Sequence, residues 1–431
     1  MEGHPGLWPI PEAMNELRCD VLVIGGGAAG VAAAVAAGRA GAQVVLLERY
    51  GFLGGLATAG LVGTLCGAYL RDPSEAQPTP VAGGFLTEFL ERLQRAAGTA
   101  PIRLQHGLRV LPFSAWAFER AAASVVLEVG NIRLVLHALV TEARVEGTHL
   151  SHIRSLAWNE TLAVRPQCVV DGSGEAVATA LAGGAVAEEN ADQVPALVFV
   201  MERVAPDFGE RQRLDLLRTV RQAVISGRLP AGCDGLSFVP GPGTEGRVAF
   251  KLNLAPAAPR VPAWQQITTW ELQARALVDD LQRFLITHVA AFRAATFAQA
   301  APQLGVRAGR RIVGRTTLTD EDVRQCRKTA SGIARGCWPM EQWSTPQRPT
   351  LTCFAVRDFF DIPLDCLRPQ GLDNVFAAGR CLSAAPGALA SARVIGTALS
   401  TGWAAGHAAA AHAQGKAMEI AVEEIRRSLT E

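Results

Sequence analysis

The sequence predicts an α/β chain: a three-layer domain built round a parallel sheet, with an α+β domain inserted into it. Three observations carry that prediction. Residues 20–48 run through a buried strand, a glycine turn, an alanine-rich helix and a second buried strand. Strand-to-glycine turns recur at Val169–Gly174 and Asn374–Gly379, the second leading into a long stretch of small residues. From about 190 to 345 the chain shows no such turn, which marks the insertion. The strands are short and apolar on both faces, as strands buried in parallel sheets are.

Size and composition narrow the class. The 431 residues are enough for two or three domains at ~150 residues each. With 49% apolar residues, 19% charged residues, 43 Gly and 24 Pro, the chain is neither disordered, collagen-like nor a coiled coil. A net charge of +1 supplies no field to attract nucleic acid or an anionic membrane, so neither is an expected partner. The nine Cys contain no CxxC pair, which argues against a disulfide framework, a metal site or a thioredoxin-type centre and suits a reducing, cytoplasmic setting. Val21–Gly38 is uncharged over 18 residues, but five are glycines and the flank holds Glu16 and Asp20 against Arg18. That is the wrong pattern for a membrane span or a signal-peptide core, and no membrane insertion is expected.

The first element is the strand Val21–Ile24, which feeds Gly25-Gly26-Gly27-Ala28-Ala29-Gly30 and a helix over Ala28–Arg39 that Gly41 ends. The second strand, Gln43–Leu47, closes on Glu48, 23 residues after Gly25 and near the ~20-residue spacing of a dinucleotide fingerprint. Gly25 makes the tight turn, Gly27 lets backbone N–H groups approach a pyrophosphate, and Gly30 lets the helix pack on the strand. The helix N-terminus adds partial positive charge, and Glu48 can accept from ribose hydroxyls. These residues leave NAD and FAD both open.

The rest of the chain favours flavin. A Gly54-Gly55 loop follows Glu48 where an NAD-only fold would enter a helix, and its backbone can lie close to something flat or phosphorylated. Residues 114–128 predict an amphipathic helix, and 132–170 predict short strands forming a β-meander. Val169–Glu175 reads as a strand returning beneath the nucleotide, because no acid-ended strand completes a second fingerprint. In the insertion, Val194–Met201 and Arg247–Leu254 predict strands and Trp264–Gln299 a long helix. Asn374–Arg380 is a buried strand ending in glycine, and the small-residue stretch after it becomes a helix from about Ser391 or Ala392. A planar ring can approach such a helix start.

Taken together, VLVIGGGAAGVAAAVAAGRAGAQVVLLE with GFLGGLAT, VVDGSGEA, PQLGVRAGRRIVGRTTLTDEDV and NVFAAGRCLSAAPGALASARV resemble the FAD-dependent oxidoreductases of the glutathione-reductase-like, two-dinucleotide-binding-domain superfamily. The resemblance runs from about Cys19 to Gln414. It implies a Rossmann-like FAD domain with the pyrophosphate on Gly25, Gly27, Ala28 and Ala29. It also implies the adenosine ribose on Glu48 beside Arg49, the adenine edge near Val140, and Gly172 and Ser173 under the nucleotide. The flavin and ribityl chain would lie between Gly54, Gly55, Ala57, Gly379, Arg380 and the segment Ser391–Val394. The sequence departs from the family's pattern at Ala308 and Gly309, where Glu and Thr or Ser are common, and at Trp343 and Pro386, where His is common.

The expected organisation is an FAD domain over 18–189 and 346–414, a substrate or cap domain over 190–345, and a C-terminal helix or tail over 415–431. The expected reaction is two-electron hydride transfer between a small organic substrate and flavin N5, with dioxygen, a quinone or a carrier protein as electron acceptor. Candidate catalytic residues are His106, Arg109 and Arg311. Arg307, Arg310, Arg311 and Arg315 put four guanidiniums in nine residues. Such a group can hold a substrate carboxylate or phosphate, although pairing with Asp320, Glu321 and Asp322 is the commoner use of such a run. Cys381, Trp338 and Trp343 are further candidates for a place near the ring, with ordinary packing the stronger expectation. The alternatives are an NAD(P)-dependent dehydrogenase without flavin, and a non-catalytic binding or escort protein that keeps the fold.

Overall fold

A computed structural model describes residues 15–74, 77–189, 193–241, 246–255, 262–343 and 345–431. Its main sheet has seven strands. The chain enters on β1 (Asn15–Ile24), crosses through α1 (Ala28–Arg39) and returns on β2 (Val44–Leu47). Helix α2 (Ala115–Leu127) then leads to β3 (Ile132–Val135) and to the meander β4 (Ala138–Glu146), β5 (His149–Ala157) and β6 (Glu160–Asp171). The strand order is β3-β2-β1-β6-β5-β4. The twelve-residue β6 serves two neighbours along one edge: its first half pairs antiparallel with β5, and its end pairs parallel with the late strand Val375–Ala377.

The apolar runs are buried on both faces. Val21, Val23, Val44 and Leu46 join α1 and the C-terminal helices in one core cluster. The alternate residues Leu22, Ile24, Val45 and Leu47 join Ala138, Val140, Leu150 and Ile153 of the meander in another. Helix, sheet and meander are therefore the three layers, and the period-2 alternation assigns each strand residue to one interface or the other. Fully burying a Val or Leu side chain is worth roughly 1.5–3 kcal/mol, so this double-sided strand pair is a strong determinant of the layer order.

The inserted unit has its own four-stranded antiparallel sheet. Its strands are β7 (Ala196–Glu202), β8 (Leu236–Phe238), β9 (Arg247–Asn253) and β10 (Thr296–Ala300), in the order β8-β9-β7-β10. Helix α3 (Trp264–His288) covers it. The long helix expected over Trp264–Gln299 therefore stops eleven residues early, because 296–300 is claimed by pairing with β7. The unit's core cluster runs from Leu197 to Leu304, whereas Ala308, Leu318, Val323, Ile333 and Met340 pack in the first cluster. The second half of the expected 190–345 domain thus packs with the layers of the main sheet. Its expected start at 190 lies outside the described residues.

The final elements are β11 (Val375–Ala377) and α4 (Ile395–Ala413), followed by a helix over Met418–Ser428. Helix α4 lies against α1 at backbone distance. A Cβ on Gly402 would stand 2.1 Å from Ala29 O, and one on Gly406 2.1 Å from Ala33 O, so glycine is demanded at both. The helix expected from Ser391 is in fact two: Pro386–Ala392, a break at Arg393-Val394, then α4.

Candidate functional site

Five parallel strands end at one level. Ile24 is level with Leu47 and Asp171, Leu47 with Val135, and Asp171 with Ala377. Their carboxyl ends open a cleft where the turns after each strand converge, the usual ligand position in open α/β sheets. Fourteen of the sixteen residues expected to hold a cofactor line it: Gly25, Gly27, Ala28, Ala29, Glu48, Arg49, Gly54, Gly55, Ala57, Val140, Gly172, Ser173, Gly379 and Arg380.

The glycine loop owes its shape to neighbouring backbone. Gly25 has φ +93°, and a Cβ there would stand 2.8 Å from Gly172 O. A Cβ on Gly30 would overlap Gly25 O at 1.7 Å. Gly54 N donates to Gly26 O at 2.8 Å, so the Gly54-Gly55 loop closes on the first loop, with Gly55 at φ +56°. At Gly27, by contrast, a Cβ would meet only Gly55 Cα, at 3.9 Å, and would otherwise project into the cleft. Gly27 is also the N-cap of α1, with no side-chain cap and no acid in the first turn. Such a terminus suits an anionic group.

Glu48 is 3% exposed. Its Oε2 accepts from Gly26 N at 2.5 Å and its Oε1 from Tyr50 N at 2.8 Å. Burial raises its carboxyl above the usual range, against the lowering effect of those two N–H groups. The carboxylate is thereby fixed at the cleft wall with lone pairs left for further donors. Opposite, Asp171 is fully buried and accepts from Ser173 N, Ser173 Oγ and Ala178 N, which shapes the Gly172–Glu175 turn. Arg380 donates to Gly174 O, to Val306 O and, at 2.7 Å, to Glu175 Oε1. Gly309, one of the departures from the family pattern, makes room for that pair: a Cβ there would stand 2.4 Å from Glu175 Oε2.

Several expectations are corrected. Ser391 lies inside the helix Pro386–Ala392, fully buried, and its hydroxyl donates to Trp338 O, so it does not line the cleft. Val394, the N-cap of α4, packs with Leu108, Val110 and Trp338, while Arg393, Ile395 and Ala398 face the cleft instead. The alanine-rich stretch hid the helix break, which put the expected helix start a turn too early. His106 is exposed on a short turn with φ +61° and does not line the cleft; its carbonyl accepts from Arg71. Arg109 is buried within a small strand pair with Arg103 and also lies outside the cleft. Arg311 is 1% exposed and committed to the chain: it donates to Ala384 O, Glu189 O and Glu189 Oε2. Asp320–Asp322 do not pair with the arginine run; Arg315 meets Asp373, and Asp322 meets Arg327. The Cys381 thiol accepts from Ala176 N and is pushed up to about 12 by burial, so it stays neutral.

Sequence reasoning missed Tyr50, Glu175, Gln303, Arg393, Ile395 and Ala398, which also line the cleft. Glu175 stands within a motif already singled out and was within reach. Gln303 also stands within a quoted motif, and Arg393 lies inside the expected segment Ser391–Val394, but nothing local marked either side chain as the one that reaches the cleft.

The layers and the cleft suit a flavoprotein, and the family match makes FAD its cofactor. The chain belongs to the FAD dependent oxidoreductase family, whose model matches residues 20–429, and it is an enzyme. Among curated proteins no sequence matches it. Among solved structures it is similar to a flavin-dependent brominase at 14% identity and TM-score 0.50, over 95% of this chain and 83% of that one. An anhydrotetracycline hydroxylase from Streptomyces rimosus follows at 14% identity and TM-score 0.48, over 95% and 65%. A geranylgeranyl bacteriochlorophyll reductase-like protein from Thermoplasma acidophilum matches at 13% and 0.45, over 96% and 83%. At 14% identity the likeness to the brominase is one of fold alone. Among the described residues no helix is long and apolar enough to cross a membrane.

Proposed function

We propose that FAD lies in the cleft at the strand ends and that the enzyme oxidises a small organic substrate. The single observation that supports this most is the convergence on one cleft of the uncapped α1 terminus, the fixed Glu48 carboxylate and the Gly379-Arg380 turn. In this reading Gly25, Gly27, Ala28 and Ala29 hold the pyrophosphate through backbone N–H groups. Glu48 accepts from the ribose, and Val140, Gly172 and Ser173 border the adenosine. Gly54, Gly55, Ala57, Gly379 and Arg380 border the flavin, and the first turn of α4, with Ile395 and Ala398, brings positive dipole to its edge.

Bound there, FAD would supply the two-electron acceptance, at N5, that oxidation of a substrate carbon requires. The protein's part is to orient the substrate, exclude water and offset charge. Residues 196–304, with their separate core, form the cap over the substrate, and 18–189 with 305–414 form the cofactor layers. The final electron acceptor is dioxygen, a quinone or a carrier protein. Nine unpaired thiols suit a reducing compartment.

The test begins with heat or acid denaturation of the purified protein, which releases free FAD if it is held non-covalently. Anaerobic addition of organic substrates then bleaches the flavin. A colourless protein that cannot be reconstituted with FAD contradicts the reading.

A further inference from the structure

Beside the cleft, four charged side chains meet from separate parts of the chain. Lys251 comes from β9, Arg307 from the segment after β10, Glu341 from residues 340–343, and Arg393 from the break before α4. Arg393 itself lines the cleft. Its guanidinium lies 3.9 Å from Glu341 Oε2 and donates to Gln193 Oε1 at 2.7 Å. Two indoles hold the carboxylate: Trp338 Nε1 donates to Oε2 at 3.0 Å and Trp343 Nε1 to Oε1 at 2.8 Å. The Trp343 ring carries Arg307 at 4.6 Å and Lys251 at 5.2 Å from its centroid. This explains the tryptophan where the family pattern has histidine: it positions Glu341 and packs beneath two cations.

The charges do not balance. Among the described residues three cations face one carboxylate, an excess of two positive charges. Arg307 Nη2 donates to Asn253 Oδ1, but Arg307 Nη1 and Arg393 Nε are buried with no hydrogen-bond partner among the described residues. No hydrogen bond or ion pair among those residues involves the Lys251 ammonium, although Lys251 keeps some accessible surface. Uncompensated cations gathered out of water are unfavourable unless a ligand completes them. Burial brings the Lys251 ammonium down to about 8 and Arg307 down to about 10. Burial alone would raise Glu341, yet Arg393, Arg307 and Lys251 draw it down to about 2. The Cys66 thiol, pushed up to about 12 by burial, offsets none of the positive charge.

We propose that Lys251, Arg307 and Arg393 bind the carboxylate of a small organic acid, which is the enzyme's substrate. Two guanidiniums and an ammonium match a carboxylate's planar pair of oxygens. Lys251 and Arg307 stand near Arg393, the one member of the group that also lines the cleft. The inference rests on FAD occupying that cleft.

The test uses the purified FAD-loaded enzyme, titrated with succinate, benzoate, benzamide and inorganic phosphate. Binding is followed by the flavin difference spectrum and by calorimetry, without turnover. Succinate or benzoate binds saturably and benzamide does not. Lys251→Met weakens the carboxylate by about tenfold or more, Lys251→Arg restores much of the affinity, and both retain FAD. Thermal stability of Lys251→Met is unchanged or raised, because a surplus cation has been removed; a purely structural lysine would lower it. An FAD-loaded enzyme that answers to neither carboxylate by either readout overturns the inference and leaves the cofactor reading standing. Phosphate binding more tightly than both acids overturns the assignment to a carboxylate. Protein that cannot be loaded with FAD overturns the reading beneath it.

Discussion

The proposed cofactor cleft and the cation group beside it are built on opposite plans. The cleft is made of backbone: glycine turns at strand ends, an uncapped helix start, and one carboxylate held by two N–H groups. The cation group is made of side chains that meet from four segments far apart in sequence, with charge in excess. A backbone site needs particular residues at fixed local spacing, because only glycine permits the conformation or the approach. A side-chain site needs only that distant positions meet. One therefore leaves a mark in the sequence and the other does not, and the same difference sets how each responds to substitution.

The largest effect is expected in the backbone site. In Gly30→Ala the new methyl lands 1.7 Å from Gly25 O, where backbone cannot yield. Loss of about 3 kcal/mol or more is expected, read as a fall in melting temperature together with protein purified without FAD. A Gly30→Ala variant that kept both would break the claim that the loop is fixed by contact. Glu48→Ala comes next. It removes charge-assisted hydrogen bonds worth roughly 1.5–3 kcal/mol, or about tenfold to a hundredfold in FAD affinity. Titration of the apoprotein with FAD measures this directly; unchanged affinity sinks the ribose assignment.

How far the sequence went follows from the same contrast. Val21–Glu48 specifies strand, turn, helix, strand and acid within one local stretch, and the structure has α1 at the expected Ala28–Arg39. The end of α3 was missed because 296–300 is drawn into strand β10 by pairing with β7, a long-range contact that overrides local helical pattern. The break at Arg393-Val394 was missed because alanine and serine run through it without a proline or a charge pattern to mark it. The arginine run was visible, but not its division of labour: Arg311 ties Glu189 and Ala384 together, whereas Arg307 sits on Trp343. Nothing local separates two arginines four residues apart.

The charge-built site should respond to pH where the cleft does not. With Lys251 brought down to about 8, the ammonium is intact below that pH and is lost as pH rises through it. Carboxylate affinity should then fall by up to about tenfold per pH unit above the transition. Of the groups facing Lys251, Glu341 at about 2, Arg307 at about 10 and Cys66 at about 12 do not titrate there, and Arg393 stays cationic. Calorimetric titration with benzoate across that range reads the slope, and a flat profile counts against Lys251 as a partner. The smallest effect belongs to His106→Asn. This exposed turn residue makes no side-chain contact with the cleft, and asparagine tolerates its positive φ. Stability should move by less than about 0.5 kcal/mol, with substrate turnover unaltered; a large loss of turnover would return the histidine to the site.

The claim that joins both regions is that electrons enter from an organic acid seated beside the flavin. The chain has one complete dinucleotide fingerprint, at Gly25–Glu48, and no CxxC motif. Anaerobic stopped-flow mixing of the FAD-loaded enzyme with a panel of small organic acids, and separately with NADH and NADPH, is the most direct test. The account predicts saturable bleaching of the flavin by at least one acid and slow, unsaturated reaction with both nicotinamides. Fast, saturable bleaching by NADH or NADPH at micromolar concentration, with every acid inert, would contradict it and make the enzyme a reductase.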